Sequence, residues 1–336
     1  MIGIGLAPVI SHYLYKHKVW KKSTGKIAFD GSTAEEFNRM HKEREGQVPR
    51  MGGIIIWLAV VLTTLFFWLL ASISGGGYAK LNFINRGQTW LPLFALLAGA
   101  FVGFCNDVLD VTTVDARGIK LRYRLLVVAL VSGFIGWWFY AKLAVSSVGI
   151  PFLGPLQLGI AFIPFFILVS LIIYASGVID GIDGLAGGVF AVIFLAYSGI
   201  AFAQGQISLS GFCAALSGAT FAFVWFNIPP ARFWMTETGT MALTLALSVV
   251  AFSADTLGGG VGVAVLPIIA LPLFATVASN VIQIFWKKVF KRKLLRIAPL
   301  HHHFEAVGWP SYKVTMRYWI ISIIAGMFGV ALALLK

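Results

Sequence analysis

The stretch AFVGFCNDVLDVTTVDARGIK, residues 100–120, opens as membrane-like apolar sequence and then places Asp107, Asp110 and Asp115 within nine residues. An asparagine, Asn106, precedes the first of them. A chain leaving a bilayer into a carboxylate cluster is the pattern to explain, and it recurs along the sequence. The 336 residues are 59% hydrophobic and only 12% charged, with mean hydropathy +0.87; a soluble domain carries about 25% charge. Long apolar runs recur, each near the roughly 20 residues that a spanning helix needs. The alternating dyads of a membrane barrel are absent. These features predict an all-α polytopic membrane protein, a single integral membrane domain over residues 1–336. Ten spans are expected, at about 1–15, 51–74, 90–105, 123–141, 156–176, 185–203, 207–227, 240–254, 262–286 and 316–335. The first is short and carries Pro8. No cleavable signal peptide is expected, because no basic segment precedes the apolar start. Cys105 and Cys213 stand in apolar surroundings and read as packing residues, not as a disulfide.

Ten spans divide the loops between two sides. Residues 16–50, 106–124, 177–184, 228–239 and 287–317 carry 22 of the 26 Lys and Arg residues, and the other side only Lys80, Arg86, Lys142 and Lys336. That asymmetry places the first set in the cytoplasm and both termini outside. The net charge of +13 therefore reads as topology and not as affinity for nucleic acid. Twelve of the thirteen acids fall on the same side, Asp255 being the exception. The polar motifs PRMGG (49–53), NDVLD (106–110), DGIDG (180–184), TETG (236–239) and PLHHHFE (299–305) lie there too. A carrier places its charged groups near mid-membrane; gathering them at one face favours an enzyme at the inner leaflet.

In YASGVIDGIDGLAGG (174–188), Asp180 and Asp183 are three apart, a spacing that one helical turn would bring to a common face. Two carboxylates there are tolerable with a cation or a donor-rich ligand, and the neighbouring glycines admit close backbone approach. Glu237 precedes a new apolar span between small hydroxyl residues; it suits a cation, or else caps the helix. Trp225, Phe226, Phe233 and Trp234 are belt aromatics or a stacking face for a base. His301, His302 and His303 stand in a loop carrying eight Lys and Arg, which suits anionic phosphate groups better than zinc, or else an acidic lipid surface. Acids holding Mg2+ on a diphosphate, a basic loop receiving the remaining charge, and apolar spans admitting a lipid together point to phosphoryl transfer to a lipid phosphate.

DGIDGLAGG, WFNIPP followed by MTETGT, and PLHHHFEAVGW carry a resemblance to the polyprenyl-phosphate N-acetylhexosamine-1-phosphate transferases that runs from PRMGG to VTMRYWIIS. The histidine run with Phe304, Glu305, Gly308 and Trp309 is similar to the muramoyl branch of that family. The resemblance implies ten spans with a cytoplasmic active site in the bacterial plasma membrane. It implies transfer of phospho-N-acetylmuramoyl-pentapeptide from its UDP carrier (UDP-MurNAc-pentapeptide) to undecaprenyl phosphate, giving lipid I and UMP in peptidoglycan synthesis. It further implies Mg2+ as cofactor and is compatible with a homodimer.

By position, Asp107 matches the second of two adjacent family aspartates near the lipid phosphate, and Asn106 stands where the first would be. Asp180 and Asp183 match paired acids at the active centre, with Gly177 in place of an asparagine. Glu237 takes the place of a metal-binding aspartate, so Glu237, Asp107 and Asp183 form the expected metal set. Asn106, Asp107, Asp180, Asp183 and Glu237 form the expected catalytic group, Asn106 as a donor that positions the lipid phosphate. Asn227, Trp234 (for a phenylalanine that stacks on uracil), Arg124 (for a lysine), His301, His302 and His303 are the expected substrate-binding residues. Arg for Lys keeps the charge but loses the ability to deprotonate. Two alternatives stand beside this reading: the same transfer from another UDP-N-acetylhexosamine, and an inactive relative that binds lipid.

Overall fold

The computed structural model describes residues 1–21, 46–74, 76–84, 87–113, 118–257 and 259–335. The expected helices are present: α1 Ile2–Lys16, α2 Ile54–Ser74, α3 Trp90–Thr112, α4 Leu121–Lys142, α5 Phe162–Ala175, α6 Leu185–Ala203 and α7 Ile207–Asn227. They continue with α8 Thr236–Phe252, α9 Gly262–Ile269, α10 Leu271–Phe290, α11 Leu300–Ala306 and α12 Ser311–Leu334. Among the described residues, eight segments are long and apolar enough to cross a membrane. α9 and α10 form one further, broken span, bent by 73°. Pro272 lies at the start of α10 and Pro267 inside α9; proline removes a helix donor and crowds the preceding turn, so a continuous 262–286 helix does not form. The expected first span is a helix of 15 residues, about 22 Å long at 1.5 Å per residue, short of the roughly 30 Å apolar layer.

Two boundaries differ in ways that matter. α3 runs on to Thr112, so Asn106, Asp107 and Asp110 sit buried on its last turns rather than in a loop. α8 begins at Thr236, so Glu237 belongs to its first turn. A short antiparallel hairpin, β1 Ser147–Ile150 with β2 Gly154–Gln157, precedes α5 and pairs Ser147 with Gln157. It occupies the residues at which the fifth span was expected to start.

The bundle is built around α8. In its most apolar stretch 94% of the residues are buried, against 28% for α2 and α4, which face outward. A central helix in lipid must satisfy its own polar groups. Thr240, Thr244 and Ser248 do so by donating to the carbonyls of Thr236, Thr240 and Thr244, at 3.2, 2.7 and 3.0 Å. α3 packs along α8 at backbone contact. A Cβ on Gly103 would lie 2.1 Å from the Glu237 carbonyl oxygen, so only glycine admits this crossing. That approach carries the NDVLD turns of α3 to the amino end of α8. Cys105 and Cys213 are both free, the latter wholly buried.

Candidate active site

The amino end of α8 is where the separate motifs meet. Asp107 is fully buried. Its Oδ2 accepts from the Thr238 N–H at 2.8 Å, from the Thr238 hydroxyl at 2.6 Å and from the Thr236 hydroxyl. An aspartate from another helix thus caps α8, where free N–H groups and the helix dipole favour a negative charge. Its Oδ1 accepts from the Asn106 amide at 3.3 Å, while Asn106 Oδ1 accepts the Ile119 N–H at 2.9 Å. Asn106 therefore braces Asp107 against the 118–119 turn. A second carboxylate there would face Asp107 with no proton between them.

Asp180 and Asp183 do not share a helix. They lie on an irregular turn between a short 3-10 segment, Ser176–Ile179, and α6, whose cap Gly184 has φ 74°. The turn is held from outside. Asp180 Oδ2 accepts the Thr236 N–H at 2.9 Å; Asp183 accepts the Ala231 N–H at 3.0 Å and the Trp234 indole N–H at 3.2 Å. Asn227 is buried and spans two loops, accepting from Gly184 N–H at 2.9 Å and donating to the Phe233 carbonyl at 2.7 Å. It shapes the site through the backbone on either side. Trp234 remains half-buried, with its polar edge tied to Asp183.

Glu237 projects from the first turn of α8 and pairs with Arg124 from α4; their side chains are 26% and 20% exposed. The Tyr174 hydroxyl, from α5, stands close enough to feel the charges of both. Asp110, one turn beyond Asp107, is instead neutralised by Arg50 at 3.0 Å and Lys21 at 3.7 Å. This leaves Asp180 and Glu237 as the half-buried acids of the site.

The histidines split as three consecutive side chains must. His301 and His302 are buried, and a Cβ on Gly181 would lie 2.7 and 2.6 Å from their Nε2 atoms. The glycine between Asp180 and Asp183 is what lets both imidazoles reach the acidic turn. His302 is oriented by Glu305 through Nδ1 at 2.7 Å, and Glu305 in turn accepts from the Ser311 hydroxyl at 2.6 Å. His303 turns away, its Nδ1 accepting the Arg296 N–H at 3.2 Å. α12 locks the turn from behind: the Thr315 hydroxyl donates to the Asp183 carbonyl at 3.0 Å and the Trp319 indole to the Gly184 carbonyl at 3.1 Å.

Sequence reasoning missed three residues of this site. Thr236 touches both Asp107 and Asp180, yet reads as one more small hydroxyl in TETG. Tyr174 reads as an ordinary apolar-span residue. Glu305 was seen only as part of the histidine motif. No local signal marks these contacts, because each depends on an element far away in the chain or on a side-chain orientation.

Among the described residues no three His, Cys, Asp or Glu side chains gather as a metal-ligand group. Asp107 Oδ2 already takes three protein donors and Asp183 takes two. Mg2+ is commonly held by one or two carboxylates with the remaining places filled by phosphate oxygens and water. Asp180 and Glu237 suit that smaller donor set.

Comparison with known proteins gives the family. The glycosyl transferase family 4 pattern matches residues 89–255, from just before α3 through α8. The chain is 34% identical over 313 residues to the phospho-N-acetylmuramoyl-pentapeptide-transferase of Gluconobacter oxydans, covering 87% of this chain and 80% of that protein. It is 32% identical to the enzyme of the same name in Granulibacter bethesdensis, over 86% and 80% of the two chains. To that of Chloroflexus aggregans it is 31% identical, over 96% and 84%. The chain therefore belongs to the phospho-N-acetylmuramoyl-pentapeptide-transferase family, and is a phosphosugar transferase of peptidoglycan synthesis that crosses the bacterial inner membrane several times.

Proposed function

We propose that the protein transfers phospho-N-acetylmuramoyl-pentapeptide from UDP to undecaprenyl phosphate, releasing UMP and forming lipid I, with the site facing the cytoplasm and Mg2+ required. The observation that carries the reading is the junction of the histidine and DGIDG motifs on Gly181, next to the acids at the start of α8. A diphosphate seated there meets imidazoles and Arg124 as donors and meets acids able to share a cation. Asp180 and Glu237 would hold Mg2+, which when bound neutralises the charge that builds on the departing UMP.

The attacking group is the lipid phosphate itself. Its second pKa is near 6 by analogy with phosphorylated side chains, so at neutral pH it is largely dianionic and needs no base. An oxygen of that phosphate forms a bond to the sugar-bearing phosphorus, and the bond from that phosphorus to UMP breaks. Asp107 is a poor candidate for a covalent nucleophile: it is wholly buried and its Oδ2 lone pairs are directed at three donors. Its part is to hold α8. Asn106 keeps Asp107 in place, and Trp234 offers its ring face to the uracil while its N–H stays on Asp183.

Purified protein should release UMP from UDP-MurNAc-pentapeptide in the presence of undecaprenyl phosphate and Mg2+, and far more slowly from UDP-N-acetylglucosamine. Preference for the latter would replace the sugar assignment. For sidedness, Phe290→Cys should be protected from an impermeant external thiol reagent in intact cells and Asn82→Cys labelled; the reverse pattern would overturn the cytoplasmic placement. Residues 22–45 of the largest basic loop lie outside the described residues.

A further inference from the structure

Thr236 adopts φ 57°, in the left-handed region. A β-branched residue rarely occupies that region, since its Cβ crowds the backbone. Such a conformation persists only where surrounding contacts over-determine it, and it concentrates at functional sites. The contacts are here. The Thr236 N–H donates to Asp180 Oδ2 at 2.9 Å, its hydroxyl donates to Asp107 Oδ2, and the same hydroxyl oxygen accepts the Met51 N–H at 3.1 Å. Met51 is itself at φ 68°. Between them the two segments are zipped by backbone bonds: Trp234 N–H to Pro49 O at 2.8 Å, Gly52 N–H to Trp234 O at 2.8 Å and Gly53 N–H to Met235 O at 3.2 Å. Thr236 is the residue at which the PRMGG, NDVLD and DGIDG motifs all meet, and Glu237 follows it directly.

We propose that Thr236 is a positioning residue for the phosphosugar transfer: from a strained left-handed backbone it holds Asp107 and Asp180 at once, and so fixes where Glu237 stands relative to Asp180. The division of labour follows from the atoms. The backbone N–H sets the distance from the DGIDG turn to α8. The hydroxyl, one donor with two acceptor lone pairs, sets the distance from α3 and from residue 51. Valine keeps the branched shape but withdraws the hydroxyl, leaving the Met51 N–H without its acceptor. Glycine relieves the strain but gives up the same two contacts. Serine keeps them. Strain and positioning therefore separate cleanly across three substitutions.

The inference rests on the transfer reading above, and the test keeps the two apart. Full-length protein in nanodiscs is assayed for UMP release over a range of donor concentrations, alongside thermal unfolding. Thr236→Val and Thr236→Gly should lower kcat by about 10- to 100-fold, the size expected when reacting groups are misplaced by about an ångström, and leave the donor KM within a few-fold. Thr236→Ser should recover most of the turnover. A glycine variant as active as the natural protein would overturn the proposal. So would a serine variant as impaired as valine, or a rise in KM with kcat unchanged. Amide hydrogen exchange over residues 49–53 and 180–184 reads the same hub without turnover: it should quicken in Thr236→Val and not in Thr236→Ser, and unchanged exchange in both would also overturn it. Failure of the transfer reading shows elsewhere, as natural protein that releases no UMP from any UDP-N-acetylhexosamine.

Discussion

The two ends of α8 each bury a carboxylate, and they use it differently. At the far end Asp255, 2% exposed, accepts one backbone N–H on each oxygen, from Gly149 at 2.7 Å and Val263 at 3.0 Å. It stitches the β-hairpin to the start of α9. Both these bonds are to backbone groups that need an acceptor in any case. At the near end Asp107 is bonded even more heavily, yet it stands among Asp180, Asp183 and Glu237, with Arg124, His301 and His302 beside them. An isolated buried carboxylate with one donor per oxygen is a latch. Acids gathered at one helix terminus repel one another, and such a cluster persists because the fold supplies more donors than stability alone would require. On the transfer reading proposed above, the extra donors would position the charges for a ligand that brings its own phosphates.

If that contrast is right, substitutions at the near end should cost turnover and those at the far end should cost stability. The largest effect is expected for Asp107→Asn. An amide nitrogen would meet the Thr236 and Thr238 donors, so kcat should fall by about 10³-fold, measured as UMP release, with some loss of thermal stability. Next is Glu237→Gln, which removes a charge without changing shape. A loss of about 10²-fold in kcat, comparable to removing one preorganised electrostatic group, is expected with the unfolding midpoint little changed. Undiminished turnover would remove Glu237 from the machinery. Asp255→Asn should act in the opposite sense: about 1–3 kcal/mol of stability lost, from a buried donor left facing an amide, with kcat close to that of the natural protein. If it reduced kcat as far as Asp107→Asn does, the comparison between the two ends would fail. The smallest effect is expected for Asn106→Asp. It keeps the Ile119 contact but sets a second carboxylate against Asp107, where like charges disfavour each other, so turnover should drop modestly. A gain in rate would show instead that a pair of carboxylates serves the reaction better than the amide brace.

The parts of this arrangement that were legible beforehand are those written in local composition. Apolar runs of about 20 residues, interrupted by loops rich in Lys and Arg, give the helices and their order, because lipid leaves the backbone no other way to satisfy its hydrogen bonds. The polar motifs could be assigned to one face because the alternating loops divide Lys and Arg so unequally. Helix ends were less legible. Asn106 and Asp107 are polar and read as loop, but a partner helix with exposed N–H groups pays their desolvation in hydrogen bonds, and α3 runs through them to Thr112. Similarly, the spacing of Asp180 and Asp183 fits one helical turn, yet Gly184 at φ 74° starts α6 only after both.

By itself, then, the sequence determined an all-α membrane protein, the order of its spans and the motifs that would carry its chemistry, since burial in lipid and residue type are properties of short segments. Only the tertiary structure decided which acids remain half-buried, which histidines face them, and that Thr236 and Tyr174 belong to the site. Those outcomes depend on donors supplied from distant helices and on the close crossing at Gly103. Such contacts are set by how α3, α5, α8 and α12 pack, and no stretch of sequence read alone contains both partners.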